Sequence, residues 1–132
     1  MRIRNVHERT ITAPPERIAV LIADLGRVWP THIAPAPRPH GHGRYDAGPM
    51  TWEEFSRPAA ARAFRVVEPG DLQAEHWFEV EPAPGATVLR HTVEGRAIGK
   101  YEKIWREQIE PLHNLILEAL LDNVEARSRQ SP

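Results

Sequence analysis

Near the C-terminus Tyr101, Ile104, Trp105, Ile109, Leu112, Leu115, Ile116, Ala119 and Leu120 recur at three- and four-residue steps, the signature of an amphipathic helix. The helical stretch runs over residues 100–129. At 1.5 Å per residue it is about 40 Å long, roughly twice an ordinary strand. An apolar stripe of that length stays out of water only against an equally long partner surface. The chain before it offers short segments punctuated by proline and glycine, which cover such a stripe only as a strongly bent antiparallel sheet. A bent sheet closed over one long helix encloses a cavity, so the expectation is a binder of small molecules.

The segments themselves are legible from their turn residues. Residues 3–12 read as a first strand, although its faces are poorly separated because Asn5, His7 and Arg9 share parity with Ile3 and Ile11. Pro14-Pro15 stops it, and Pro15 suits the first turn of a helix with Glu16 near the positive end of its dipole. Ile18, Leu21, Ile22 and Leu25 follow at helical spacing, with Gly26 expected to end the helix and residues 28–32 to add a second short turn. Residues 33–49 hold four prolines and three glycines and are expected to form a loop or an irregular edge strand. Four strands are then expected at 50–55, 62–67, 72–80 and 87–97, separated by Pro58, by Glu68-Pro-Gly-Asp71 and by Glu81-Pro-Ala-Pro-Gly85. Strand, helix, a run of antiparallel strands and a long helix make an α+β fold, one domain over residues 1–132.

Charge excludes several partners. The 17 basic and 18 acidic residues nearly cancel, so neither nucleic acid nor an anionic membrane surface is an expected partner. There is no cysteine, which removes disulfides and thiolate chemistry and is compatible with a reducing compartment. The N-terminus lacks the apolar run of a signal peptide, and no segment approaches the ~20 apolar residues of a membrane span. The expected location is the cytoplasm.

Two parts of the chain carry a resemblance. Ile11-Thr-Ala-Pro-Pro-Glu-Arg-Ile-Ala-Val-Leu-Ile-Ala-Asp-Leu25 resembles the strand-to-helix entry of the START/Bet v 1-like (SRPBCC) superfamily, which includes polyketide cyclase/dehydrase and lipid-transport proteins. Leu89-Arg-His-Thr-Val-Glu-Gly95, Ile104-Trp105 and Ile109-Glu-Pro-Leu-His113 resemble the last strand and C-terminal helix of its bacterial members. The resemblance implies a helix-grip fold, a curved sheet wrapped round the C-terminal helix with an apolar cavity between them. The departure is the segment 35–49, rich in Pro, Gly and His, where the family has clearly patterned strands.

Strand alternation places Leu72, Ala74, His76, Phe78 and Val80 on one inward face, and Leu89, His91, Val93 and Ala97 on another. A hairpin closing round residues 82–85 with Val80 opposite Thr87 sets Phe78 against Leu89 and His76 against His91. The two histidines are either a functional pair in a cavity or hydrogen-bonded members of a packed core. On the long helix Tyr101, Trp105 and Gln108 share the inward side, and Pro111 is expected to bend the helix beside them. Trp29, in a Pro-bounded loop, is placed to cap a pocket. His76, His91, Phe78, Leu89, Tyr101, Trp105, Gln108 and Trp29 are therefore the expected ligand-binding residues. His32, His40 and His42 lack the Cys or carboxylate spacing of a metal site, and neither a metal nor a cofactor is expected. No nucleophile triad, phosphate loop or dinucleotide fingerprint is present.

Two functions fit these residues. One is a carrier or sensor of a small hydrophobic or aromatic molecule; the other is an aromatase/cyclase or dehydratase-like enzyme whose cavity histidines transfer protons near a carbonyl. Leu117 and Leu121 lie off the main stripe and either pack against the Ile18–Leu25 segment or make a homodimer contact.

Overall fold

The computed structural model describes residues 1–130. Seven strands, β1 (Arg2–Ile11), β2 (Arg38–Gly41), β3 (Arg44–Ala47), β4 (Met50–Phe55), β5 (Arg62–Glu68), β6 (Leu72–Ala83) and β7 (Ala86–Ala97), form one antiparallel sheet in the order β1-β7-β6-β5-β4-β3-β2. Helix α1 (Pro15–Ala23) follows β1. After β7, α2 (Tyr101–Ile104), a π turn (Trp105–Ile109) and α3 (Glu110–Ser128) succeed one another without a break. The curved sheet grips this long C-terminal helix, the α+β helix-grip arrangement. No helix among the described residues is long and apolar enough to cross a membrane.

Local chemistry explains where the strands differ from expectation. Residues 33–49 are not one irregular edge but contain a hairpin, β2 and β3, turning on His42 (φ 54°) and Gly43 (φ 73°). Pro35 and Pro37 precede it, and Pro39 sits on the outermost strand, where one flank has no ladder to break. The β6–β7 hairpin is tighter than expected, turning on Pro84-Gly85 with Ala83 opposite Ala86 and Gly85 at φ 67°. Val80 therefore opposes Leu89 and not Thr87, and Phe78 opposes His91. Pro82 is tolerated because β5 pairing ends at Phe78, leaving that flank of β6 open.

Helix α1 begins at Pro15 as expected but ends at Ala23. Gly26 is not a left-handed cap; it lies within a 3₁₀ turn, Leu25–Arg27, closed by Val28 N–H donating to the Leu25 carbonyl. The turn expected at 28–32 falls later, where the Ile33 and Ala34 amides donate to the Pro30 carbonyl.

The C-terminal helix shifts the expected stripe. Pro111 has no N–H to return to the carbonyl of residue 107, and the π turn immediately before it takes up an extra residue. Every later position is rotated relative to an uninterrupted α-helix. Leu112 and Leu115, expected inside, are 44% and 61% exposed, while Leu117, Leu120, Leu121 and Val124 are buried. Leu117 and Leu121 join Ile18, Leu21 and Ile22 in one apolar cluster, so they pack against α1 and are not free for a dimer contact.

The ambiguous face of β1 resolves in the same way. Ile3 and Ile11 are buried at its ends, and the polar residues between them meet a polar row on the C-terminal helix. Asn5 Nδ2 donates to Glu110 (3.2 Å) and Asn114 (2.9 Å), His7 contacts Glu118 (2.7 Å) and Asn114 (2.8 Å), and Arg9 reaches Asp122 (2.6 Å), Glu118 and Glu125 (both 3.3 Å). Strand periodicity of two thus reads helix periodicity of four.

At the other side of the sheet Arg62 grips Glu54 through Nε and Nη2 (2.9 and 3.0 Å), donates to Tyr45 Oη (3.0 Å) and reaches the carbonyls of Ile22 and Ala23 at the end of α1. The guanidinium hydrogen bonds hold the Glu54 carboxyl below its ordinary pKa against the opposing effect of burial. This cluster ties β3, β4, β5 and α1 together.

Candidate functional site

Two apolar clusters leave a space between them. One gathers Ile18, Ile22, Leu89, Leu120, Leu121 and Val124 beneath α1; the other gathers Ile3, Leu72, Ala74, Val93, Ala97 and Trp105 at the opposite end of the sheet. The cavity between them measures about 380 Å³ and draws its walls from both. Its exposed lining residues, Pro35, Gly48, Pro49, Gln108 and Leu112, make the rim. A void of this size persists because the long helix follows the sheet edge along β1 while its apolar packing gathers in two separate clusters.

Of the residues expected at the site, His76, His91, Phe78, Trp105, Gln108 and Trp29 line the cavity. Leu89 does not: it is wholly buried in the cluster beneath α1. Tyr101 does not either, being packed at the edge of the other cluster one turn before the cavity begins. Trp29 Nε1 donates to the Ala34 carbonyl at 3.0 Å, which fixes the indole across the loop it caps.

The histidines are neighbours, but not as a cross-strand pair. His76 opposes Val93, and His91 opposes Phe78; the two rings meet diagonally, with centroids 5.6 Å apart. A third imidazole completes the row. His113 lies 5.3 Å from His91, and beyond it His7 lies 5.7 Å from His113. His113 was legible in principle: it stands four residues after Ile109 and eight after Trp105, on the face that turns inward. Trp52 and Phe64, both also missed, flank His76 at 4.2 and 5.3 Å, while Phe78 stands 4.6 Å from His91.

The three cavity imidazoles make no hydrogen bond to any protein group among the described residues, and His76 Nε2, His91 Nδ1 and His113 Nε2 are buried without a partner. Trp52 Nε1 shares that condition. Burial pushes His76 down to about 3 and His113 down to about 4, and it pushes His91 well below the ordinary histidine value; neighbouring imidazoles add to each shift. All three are therefore neutral near pH 7, each with one N–H donor and one acceptor nitrogen. No Asp, Glu, Lys or Arg lines the cavity among the described residues. The histidines form a row in which each ring adjoins the next, and no group of three or more His, Cys, Asp or Glu side chains among the described residues is arranged to hold a metal ion. His40 instead contacts Asp46 at 2.9 Å on the outermost hairpin.

At its outer end the row meets solvent through His7. The Glu118 carboxylate can only accept, and Asn114 Oδ1 already accepts from Asn5, so both ring nitrogens of His7 face acceptors.

No protein-family model and no curated protein matches the chain in sequence. Solved structures do match in shape. The aromatase/cyclase ZhuI of Streptomyces sp. R1128 is 20% identical with a TM-score of 0.63, covering 97% of this chain and 94% of its own. Norcoclaurine synthase of Thalictrum flavum, in complex with dopamine and hydroxybenzaldehyde, is 17% identical with a TM-score of 0.67, covering 100% and 90%. TTHA0849 of Thermus thermophilus is 23% identical with a TM-score of 0.62, covering 96% and 97%. At these identities the likeness shows the fold alone, a curved antiparallel sheet gripping a long C-terminal helix.

Proposed function

We propose that this protein binds a small hydrophobic or aromatic molecule in its internal cavity, as a carrier or sensor. The observation that carries the reading is the cavity of about 380 Å³, walled by aromatic and aliphatic side chains, with three imidazoles that no protein group among the described residues satisfies. Ligand pockets typically offer roughly 300–1,000 Å³, mostly apolar, with a few placed polar groups. Unpaired buried polar groups cost stability, and the second nitrogen of each ring, which no protein group among the described residues engages, is open to a ligand's hydrogen bond.

A titration with the apolar fluorophore N-phenyl-1-naphthylamine tests the reading. Saturable one-to-one enhancement is expected, and Ala74→Phe, which places a ring inside the void, should abolish it without lowering the melting temperature. Equal enhancement by that variant, or none by the parent, contradicts binding in this cavity.

The second reading is a proton-transferring enzyme of the aromatase/cyclase or dehydratase kind. The imidazole row running from the cavity to His7 supports it, as does the fold shared with ZhuI. Against it stands the depression of the cavity histidines to about 3 and about 4 at His76 and His113, since an efficient general base titrates near the working pH. Recognition by hydrogen bonds asks only that the rings be neutral, and so binding is the reading preferred.

A further inference from the structure

We infer that the cavity selects ligands whose polar edge is an uncharged hydroxyl on a planar ring, a phenol or a cyclic enol, seated on the row His76, His91 and His113, and that it rejects ammonium compounds. This deepens the binding reading and rests on it.

The argument starts from what the row offers. A neutral imidazole presents one donor and one acceptor: one nitrogen of each ring, His76 Nε2, His91 Nδ1 and His113 Nε2, is sealed among protein atoms without a partner, and the other, which bonds to no protein group among the described residues, is the one a ligand can reach. A hydroxyl is the small group that answers both at once, donating to one ring and accepting from the next. An ether or ketone can only accept, and leaves the acceptor nitrogens unpaired. The rings stand 5.6 and 5.3 Å apart between centroids, close enough for one oxygen to lie between two neighbours. Trp52 and Phe64 at His76, and Phe78 at His91, bring aromatic faces to the edge of the row. A hydroxyl reaching the imidazoles therefore arrives most favourably on a flat ring that packs against those faces.

Charge decides the exclusions. An ammonium in this cavity would be stripped of water with no carboxylate in the lining among the described residues, a cost that a neutral acceptor does not offset. A carboxylate would need one imidazole to charge, which the depressed pKa values of His76 and His113 oppose.

Calorimetric titration at pH 7 with four probes of one shape separates these cases: 2-methoxynaphthalene, 2-naphthol, 2-naphthoate and 2-naphthylmethylammonium. The expected order is naphthol about ten-fold or more tighter than the methyl ether, as one satisfied buried hydrogen-bonding group implies, with no saturable binding of the ammonium. In His91→Leu the ratio between naphthol and ether should collapse toward one. His113→Leu is a second variant for the same ratio should the first not fold. Equal affinity for naphthol and ether in the parent protein, or tighter binding of the naphthoate or the ammonium than of naphthol, overturns the inference while leaving binding intact. Failure of naphthol and ether alike to bind contradicts the binding reading itself.

Discussion

His76 and His91 sit where strand alternation puts apolar residues, and neither ring finds a protein partner among the described residues. An imidazole in that position reduces stability relative to a hydrocarbon of similar size, because its nitrogens lose water and gain nothing. His76→Leu and His91→Leu should therefore melt at the same temperature as the parent or higher, while affinity for the cavity ligand falls by about 1–3 kcal/mol. Thermal unfolding and titration of each variant check this, and lower melting with unchanged binding would contradict it. The same burial sets a pH dependence. These rings stay neutral in the fold while the unfolded chain takes up protons below about 6.5. Their contribution to stability is thus complete above that value and is lost as pH falls toward about 4 for His113 and about 3 for His76. The neighbours of the row are His7, with its Glu118 and Asn114 contacts, and the aromatic walls; among the described residues no carboxylate contacts the inner rings to offset the loss. Each fully buried ring changes stability by up to about 1.4 kcal/mol per pH unit in that window. The double variant His76→Leu/His91→Leu should lose less melting temperature between pH 7 and pH 5 than the parent, and an equal loss would contradict this assignment. Parity made the inward turn of both histidines legible; their partners were not, because closing the hairpin on residues 84–85 instead of 82–85 slides β6 by two residues against β7, which keeps each face and changes every partner.

The elements show where sequence periodicity is a sufficient guide and where it is not. Strands β4 and β5 lie where their turn residues put them, since Pro and Gly end pairing for local reasons, whereas β6 runs on through Pro82 to Ala83 before Pro84-Gly85 turns it. Helix α3 does not follow the expected stripe, because the π turn before Pro111 rotates everything after it, and such a turn leaves no mark on apolar spacing until the partner surface is known. Strand β1 was ambiguous for a related cause. Its inner face is polar because it meets the row Glu110, Asn114, Glu118, Asp122 and Glu125, and only the pairing of the two elements gives those residues a role. One glycine sets how closely β6 approaches β7. Gly95, on β7 opposite both Ile3 and Ala74, would carry a Cβ 2.1 Å from the Gln73 carbonyl oxygen and 2.6 Å from Ala74 Cα. Backbone cannot yield there as a side chain would, so Gly95→Ala should destabilise the protein by about 3 kcal/mol. Denaturant unfolding measures it, and a loss below about 0.5 kcal/mol, the range of a neutral surface substitution, would show that the strands separate more easily than this packing allows.

Across the whole molecule the cavity is the consequence of one mismatch in shape, a long rod against a curved sheet, filled at its ends by two apolar clusters and left open between them. The long helix announced that mismatch in the sequence; the polar furnishing of the void did not follow from it, since His113, Trp52 and Phe64 reach the cavity from three different elements. The four tryptophans report on the result independently. Trp29, Trp52 and Trp105 line the cavity, whereas Trp77 lies on the other face of β6, its indole N–H donating to Glu79 at 2.8 Å and its ring 3.6 Å beneath the Arg57 guanidinium. The most direct measurement is a ¹H–¹⁵N spectrum of the indole N–H groups during titration with 2-methoxynaphthalene. Saturable shifts of the Trp29, Trp52 and Trp105 signals, with Trp77 unmoved, are the predicted result; no saturable shift, or a shift confined to Trp77, would contradict ligand binding inside the helix-grip cavity.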